Sequence, residues 1–246
     1  MIVPRPAHLR HGVLIPYALP AIVFALPTIP VYIYLPALYG DHLGLGLTTV
    51  GLVLLCARIF DTVTDPIVGY LSDRIGFKGA HRKPWIIVGA LIAGFALFKV
   101  LSPPTIVSAE YLLMWSIILY GGWTMIAIPY VAWGAELSIE YTERTRVTAW
   151  REGMGLIGIV GAAGLGTLAT SGRVGELSET KVIALAAIVL GVALLPLMVW
   201  RVPDRQITIQ TESKGRPRVS VLRQIQSLLQ NKLFVRLLSV WLVNGI

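Results

Sequence analysis

The sequence predicts an all-α membrane protein with six spanning helices and the start of a seventh. Three observations carry this prediction. Hydrophobic residues make up 55% of the chain and charged residues 14%, with mean hydropathy +0.72, which is too apolar throughout for a soluble domain of 246 residues. Apolar runs long enough to cross a bilayer recur along the chain. The basic residues collect in alternate loops, as they do in chains that cross a membrane repeatedly.

The runs lie at about 12–38, 47–71, 85–101, 111–135, 147–170 and 182–200. Pro16, Pro20, Pro27, Pro30 and Pro36 make the first helix irregular, which a membrane tolerates and which can mark a bend. The first run is too long for a signal-peptide core, and no clear cleavage site follows it. Cys56, the single cysteine, falls in the second run and is expected to be a small packing residue. Lys99, near the outer end of the third, is expected to lead its ammonium to the interface. Gly158, Ala162 and Gly166 recur every four residues in the fifth, a stripe that permits close helix packing.

Residues 1–200 therefore form a predicted six-helix bundle. Residues 201–232 are polar and basic and then amphipathic, with Val221, Ile225, Leu228 and Leu229 at helical spacing. They suit a cytoplasmic linker, and their basic side chains would also suit anionic lipid. Residues 233–246 begin a seventh span of about 21 Å, short of a ~30 Å hydrocarbon core. A chain that stops inside a span is expected to be the amino-terminal part of a longer protein, with its carboxy-terminal half as a partner.

Of the 21 basic residues, 17 fall at the amino terminus, in the 72–84 loop, in 136–151 and in 201–236. The positive-inside rule places these regions, and the amino terminus, in the cytoplasm. The net charge of +8 is accounted for by topology, so no nucleic-acid partner is implied.

Arg58, Asp61 and Asp65 interrupt the apolar stretch 47–71 and share one helical face. Each charge at a bilayer centre costs roughly 2.5–3.5 kcal/mol on insertion scales. Such groups face a protein interior or a watery cavity, where they mark an ion or substrate path or form an ion pair that locks helices together. Arg58 can neutralise only one of the two carboxylates, which favours the first role.

The second span closes on Gly69-x-x-x-Asp73-Arg74-x-Gly76-x-Lys78. This resembles the loop signature of the major facilitator superfamily, in which Gly69 would admit a neighbouring helix and Asp73 would hold one conformational state through a breakable charge contact. The stretch from Ala57 through Arg58, Asp61, Thr64, Asp65 and Pro66 to Gly69 resembles the second helix of the glycoside–pentoside–hexuronide:cation symporters, a melibiose-carrier-like family. Pro129–Glu136, Glu140–Arg146 and Lys83-Pro84-Trp85 resemble its fourth helix, following loop and third-helix start.

The resemblance implies a twelve-helix fold, its first six helices in this chain, that couples Na⁺, Li⁺ or H⁺ to the movement of a small solute across a bacterial inner membrane. It implies a cation site at Asp61, Asp65, Thr64 and Thr124, with Asp61 and Asp65 as the carboxylate ligands if the cation is a metal. Arg58 would balance their charge. Trp123 and Arg151 match cavity-lining positions: Trp123 to stack on a sugar or apolar ligand or simply to pack, Arg151 to bind an anion, pair with a helix-two acid, or pair with Glu152. The acids that galactoside carriers place in helices one and four are replaced by Ala25 and Ala127, which argues against a melibiose-like cargo. A lysolipid-like cargo, or a non-transporting membrane sensor or scaffold, are the other readings. No catalytic constellation and no cofactor beyond the coupling cation is expected.

Overall fold

The computed structural model describes residues 8–75, 80–170 and 179–204, together with Gln230, Val235, Arg236, Ser239 and Val240. Gly76 and Lys78 of the loop signature, most of the 201–232 linker and most of the seventh run lie outside the described residues. Met1–Gln206 forms one compact unit and Ile207–Ile246 another.

The first unit is a bundle of six helices, each long and apolar enough to span a bilayer. They are α1 (His11–His42), α2 (Leu47–Arg74), α3 (Lys83–Leu101), α4 (Ala109–Glu136), α5 (Tyr141–Thr170) and α6 (Glu179–Arg201). The all-α, six-span expectation holds. α5 begins six residues before its apolar run because the charged turn from Tyr141 to Arg146 continues the helix beyond the hydrophobic stretch.

The prolines of α1 leave it segmented. Regular turns at His11–Ala18 and Pro20–Ala25 give way to wide π turns at Pro30–Tyr34 and Leu38–His42. Each proline removes a backbone donor, and the wider i→i+5 pattern accommodates that loss. Gly44 and Gly46, with φ of 74° and 79°, make the tight passage into α2 that residues with a Cβ resist.

Packing is tightest between α3 and α4. A Cβ on Gly122 would stand 2.7 Å from the Ala93 nitrogen, and one on Gly89 2.8 Å from the Gly122 carbonyl oxygen, so the two backbones meet there. α5 packs on α1 through its small-residue stripe: Ala162 is fully buried, and a Cβ on Gly158 would collide with the Ile22 carbonyl. Gly69 is less crowded within this bundle. A Cβ there would make ordinary 3.7 Å contact with Ile128, so α4 does not demand glycine at this position. Cys56 departs from expectation, being exposed on α2 rather than packed.

Polar ties fix the ends of the bundle. The last carbonyls of α3 lack helical donors, and three other helices supply them. Tyr111 donates to the Lys99 carbonyl, Tyr39 to that of Val100 and Thr180 to that of Leu101, at 2.9–3.0 Å. In the α1–α4 interface, Tyr17 donates to the Tyr130 carbonyl at 2.9 Å and Tyr130 returns a bond to the Tyr17 carbonyl at 2.7 Å, their rings stacked 4.8 Å apart.

Candidate functional site

α2 turns Asp61 and Asp65 toward α4, where Thr124 meets both. The Thr124 hydroxyl oxygen is 2.6 Å from Asp61 Oδ1 and 2.9 Å from Asp65 Oδ1. A hydroxyl has one proton, and ionised carboxylates only accept. Thr124 can therefore satisfy one acid but not two. A bound proton or cation is what would reconcile the second short oxygen–oxygen approach.

Arg58 lies at the edge of this cluster. Its Nη1 is 3.5 Å from Asp61 Oδ2, a long contact, and its guanidinium sits 5.9 Å from the Tyr32 ring and 5.8 Å from the Tyr120 ring. Those two aromatics, from α1 and α4, went unmarked in the sequence because nothing in the spacing along one helix reports what a neighbouring helix brings. The Thr64 hydroxyl donates to the Asp61 carbonyl at 3.0 Å, so its proton is held by its own helix while its oxygen remains an acceptor.

A cavity of about 310 Å³ is lined by residues of α1, α4 and α5. Ala25 and Ala127 are in its wall, together with Thr28, Trp123, Tyr130 and Arg151. Trp123 precedes Thr124 on α4, so one turn of helix offers an indole to the cavity and a hydroxyl to the carboxylates. Of the partners open to Arg151, the structure selects Glu152, at 2.6 Å. Both charged groups line the cavity, with Ala21, Phe24, Ile126 and Val131 among its apolar lining.

Asp73 of the loop signature pairs with Arg82 at 2.6 Å. The same guanidinium bonds Glu136 of α4 at 2.6 Å and the buried Ser72 hydroxyl at 3.2 Å. Burial alone would lower the Arg82 pKa, but the bonds from Glu136 and Asp73 outweigh it and hold the group above its ordinary value. His81 donates its backbone N–H to Asp204 and Trp133 its indole N–H to the Pro203 carbonyl, so the ends of α2, α3, α4 and α6 are tied together. A second tie holds the chain before α1. Glu143 of α5, only 2% exposed, accepts from the Leu9 backbone at 3.0 Å and lies 2.8 Å from His8 Nδ1.

Among the described residues no three His, Cys, Asp or Glu side chains cluster to hold a metal ion. Any cation at Asp61 and Asp65 would take its other oxygens from hydroxyls such as Thr124, from backbone or from water.

The family model of the MFS/sugar transport proteins matches residues 16–245. Among curated proteins, the chain is similar to the inner membrane symporter YicJ of Escherichia coli K12, with 30% identity over 125 residues, 49% of this chain and 27% of that protein. It is similar to the putative glycoside/cation symporter YagG of the same organism, with 29% identity over 46% of this chain and 25% of that protein. It also matches the sodium-dependent lysophosphatidylcholine symporter 1-A of Danio rerio, with 31% identity over 43% of this chain and 20% of that protein. The matched stretch spans about a quarter of the length of the bacterial relatives.

Proposed function

Because the chain belongs to the MFS/sugar transport protein family, we propose that it is the amino-terminal part of a cation-coupled secondary transporter of a small organic solute. In this reading it is a member of the glycoside–pentoside–hexuronide:cation branch, in a bacterial inner membrane with a cytoplasmic amino terminus. Residues 1–200 are its first six-helix bundle, 201–232 the linker and 233–246 the start of helix seven. The one observation that carries the reading is the single Thr124 hydroxyl set between two carboxylates.

Asp61 and Asp65 hold the cation, Thr124 bridges them, and Thr64 contributes an acceptor oxygen. Arg58 compensates the site electrostatically when it is empty. Na⁺ or Li⁺ suits these hard oxygens, and a proton suits the pair equally. Cation binding neutralises the cluster and biases the bundle toward a substrate-competent state, after which the two halves rock about a midplane site. Substrate rests against Trp123 and near Arg151, in the cavity shared by α1, α4 and α5. The loop motif of Gly69, Asp73, Arg74, Gly76 and Lys78, whose Asp73 pairs with Arg82, sets the stability of one state.

A lysolipid-like or other amphipathic cargo is the second reading. Ala25 and Ala127 in the cavity wall favour it, since neither offers a carboxylate to sugar hydroxyls and the carboxylate that does line the cavity, Glu152, is paired with Arg151, and the similarity to a lysophosphatidylcholine symporter agrees. Uptake by the full-length protein in proteoliposomes, driven by Na⁺ or by a pH step, tests the proposal. Asp61→Asn should abolish coupled uptake while the protein still inserts. Full coupled uptake by that variant would sink it.

A further inference from the structure

A larger cavity than the one lined by Arg151 and Glu152 lies elsewhere in the bundle. It is a groove of about 880 Å³ between α3 and α6, floored by α1 and α4, within the size range of ligand pockets. No lining residue is charged or carries a hydroxyl, and among the lining side chains only Trp123 and Trp200 carry a polar atom, the indole nitrogen. Such a lining suits a hydrocarbon occupant. Its rims are open along both helices: Leu91 on α3 is 70% exposed and Val192 on α6 is 72% exposed. In a chain that spans the bilayer, these rims face lipid.

α2 and α5 contribute nothing to the groove, and they are the two spans with the smallest buried share, with Leu52, Ile59 and Val63 open on α2 and Leu156 and Val160 on α5. A second bundle has that surface to pack on, and lipid is left as the neighbour of α3 and α6. Along α6 the groove runs from Ala187 to Trp200, about 20 Å, enough for a chain crossing one leaflet, half of a ~30 Å core. It ends at the basic face of the bundle. There Arg201 stacks on Trp200 at 4.8 Å, and among the described residues Arg201 has no carboxylate partner. A guanidinium beside an exposed indole at the membrane boundary suits a phosphate headgroup.

We propose that this groove is a binding site for a membrane phospholipid with an anionic headgroup, its acyl chain between α3 and α6 and its phosphate at Arg201. The chain would lie against Trp123, which also lines the cavity of Arg151 and Glu152. Lipid in the groove thus supports the same indole that the transport reading gives to substrate, yet its binding does not depend on that reading.

The test uses the full-length protein in nanodiscs of phosphatidylcholine containing either phosphatidylglycerol or phosphatidylcholine brominated on the acyl chain. Bromine quenches nearby tryptophan. Brominated phosphatidylglycerol should occupy the groove with about a fivefold preference, the equivalent of about 1 kcal/mol for one basic side chain at the surface. The excess quenching should fall in Trp123→Phe, which removes one of the two groove tryptophans and leaves Trp200, and should vanish in Arg201→Gln, which removes the headgroup contact. Gly94→Leu should reduce quenching by both lipids, because a side chain at Gly94 meets only Ile188, at 4.0 Å, before it fills the groove. Should that variant not fold, Arg201→Gln carries the test, since Arg201 is exposed. Equal quenching by the two lipids, or excess quenching undiminished in Arg201→Gln, would overturn the proposal.

Discussion

Thr124 has one proton to give and two carboxylates within reach. Thr124→Val keeps its volume and removes the hydroxyl, leaving each acid short of a partner. The expected loss is about 1–3 kcal/mol, roughly a five- to 150-fold weakening of cation affinity, measured as a rise in the Na⁺ or H⁺ concentration for half-maximal uptake. Thr124→Ser should restore most of it. A valine variant with unchanged cation dependence would show that the hydroxyl does not serve the cation. The acids themselves were legible in the sequence, because charges are conspicuous in an apolar run. Their surroundings were not: Tyr32 and Tyr120 reach Arg58 from two other helices. Arg151 had several partners open to it by spacing, and only the coordinates select Glu152.

At the scale of helices, the α3–α4 contact depends on two glycines. Gly122→Leu would drive a side chain into the Ala93 backbone, and overpacking of this kind costs about 1–3 kcal/mol. The expected outcome is a lower melting temperature in detergent, whereas Gly69→Ala, at a position with ordinary contact space, should melt within a few degrees of the parent. Equal losses at both sites would contradict this picture of the packing. A glycine in the sequence does not reveal which neighbour approaches it, which is why Gly69 drew notice and Gly89 and Gly122 did not. The Glu143 tie was hidden for a similar reason, since it joins residues more than a hundred positions apart. Glu143→Ala should free the segment before α1 and speed its proteolysis, with the rest of the bundle retaining its protection.

For the whole molecule, hydrophobic length and basic loops made the six spans legible, because the bilayer imposes both on any chain that crosses it. The fastening of the basic ends was not, since Arg82 joins α2 to α4 through Ser72 and Asp73 on one helix and Glu136 on the other. The raised Arg82 pKa makes its contribution present below the ordinary arginine value and lost only as pH rises through the elevated one, far above neutrality. Titrating from neutral to mildly alkaline pH should therefore leave this junction intact. Arg82→Gln should weaken it equally at pH 7 and pH 9, read by thermal melting at both. A stability loss in the parent over that range, absent in Arg82→Gln, would show that the arginine is titrating.

The central claim is that Asp61 and Asp65 couple a cation to solute movement. Substrate-dependent ²²Na⁺ flux and pH-driven flux, measured in proteoliposomes of the full-length protein against glycosides, uronates and lysolipids, test it most directly. The account predicts coupled flux with one of these classes, lost in Asp65→Asn protein that remains folded. Folded wild-type protein with no coupled flux for any class, or an Asp65→Asn variant that couples normally, would contradict it and leave the acidic pair a structural tie between α2 and α4.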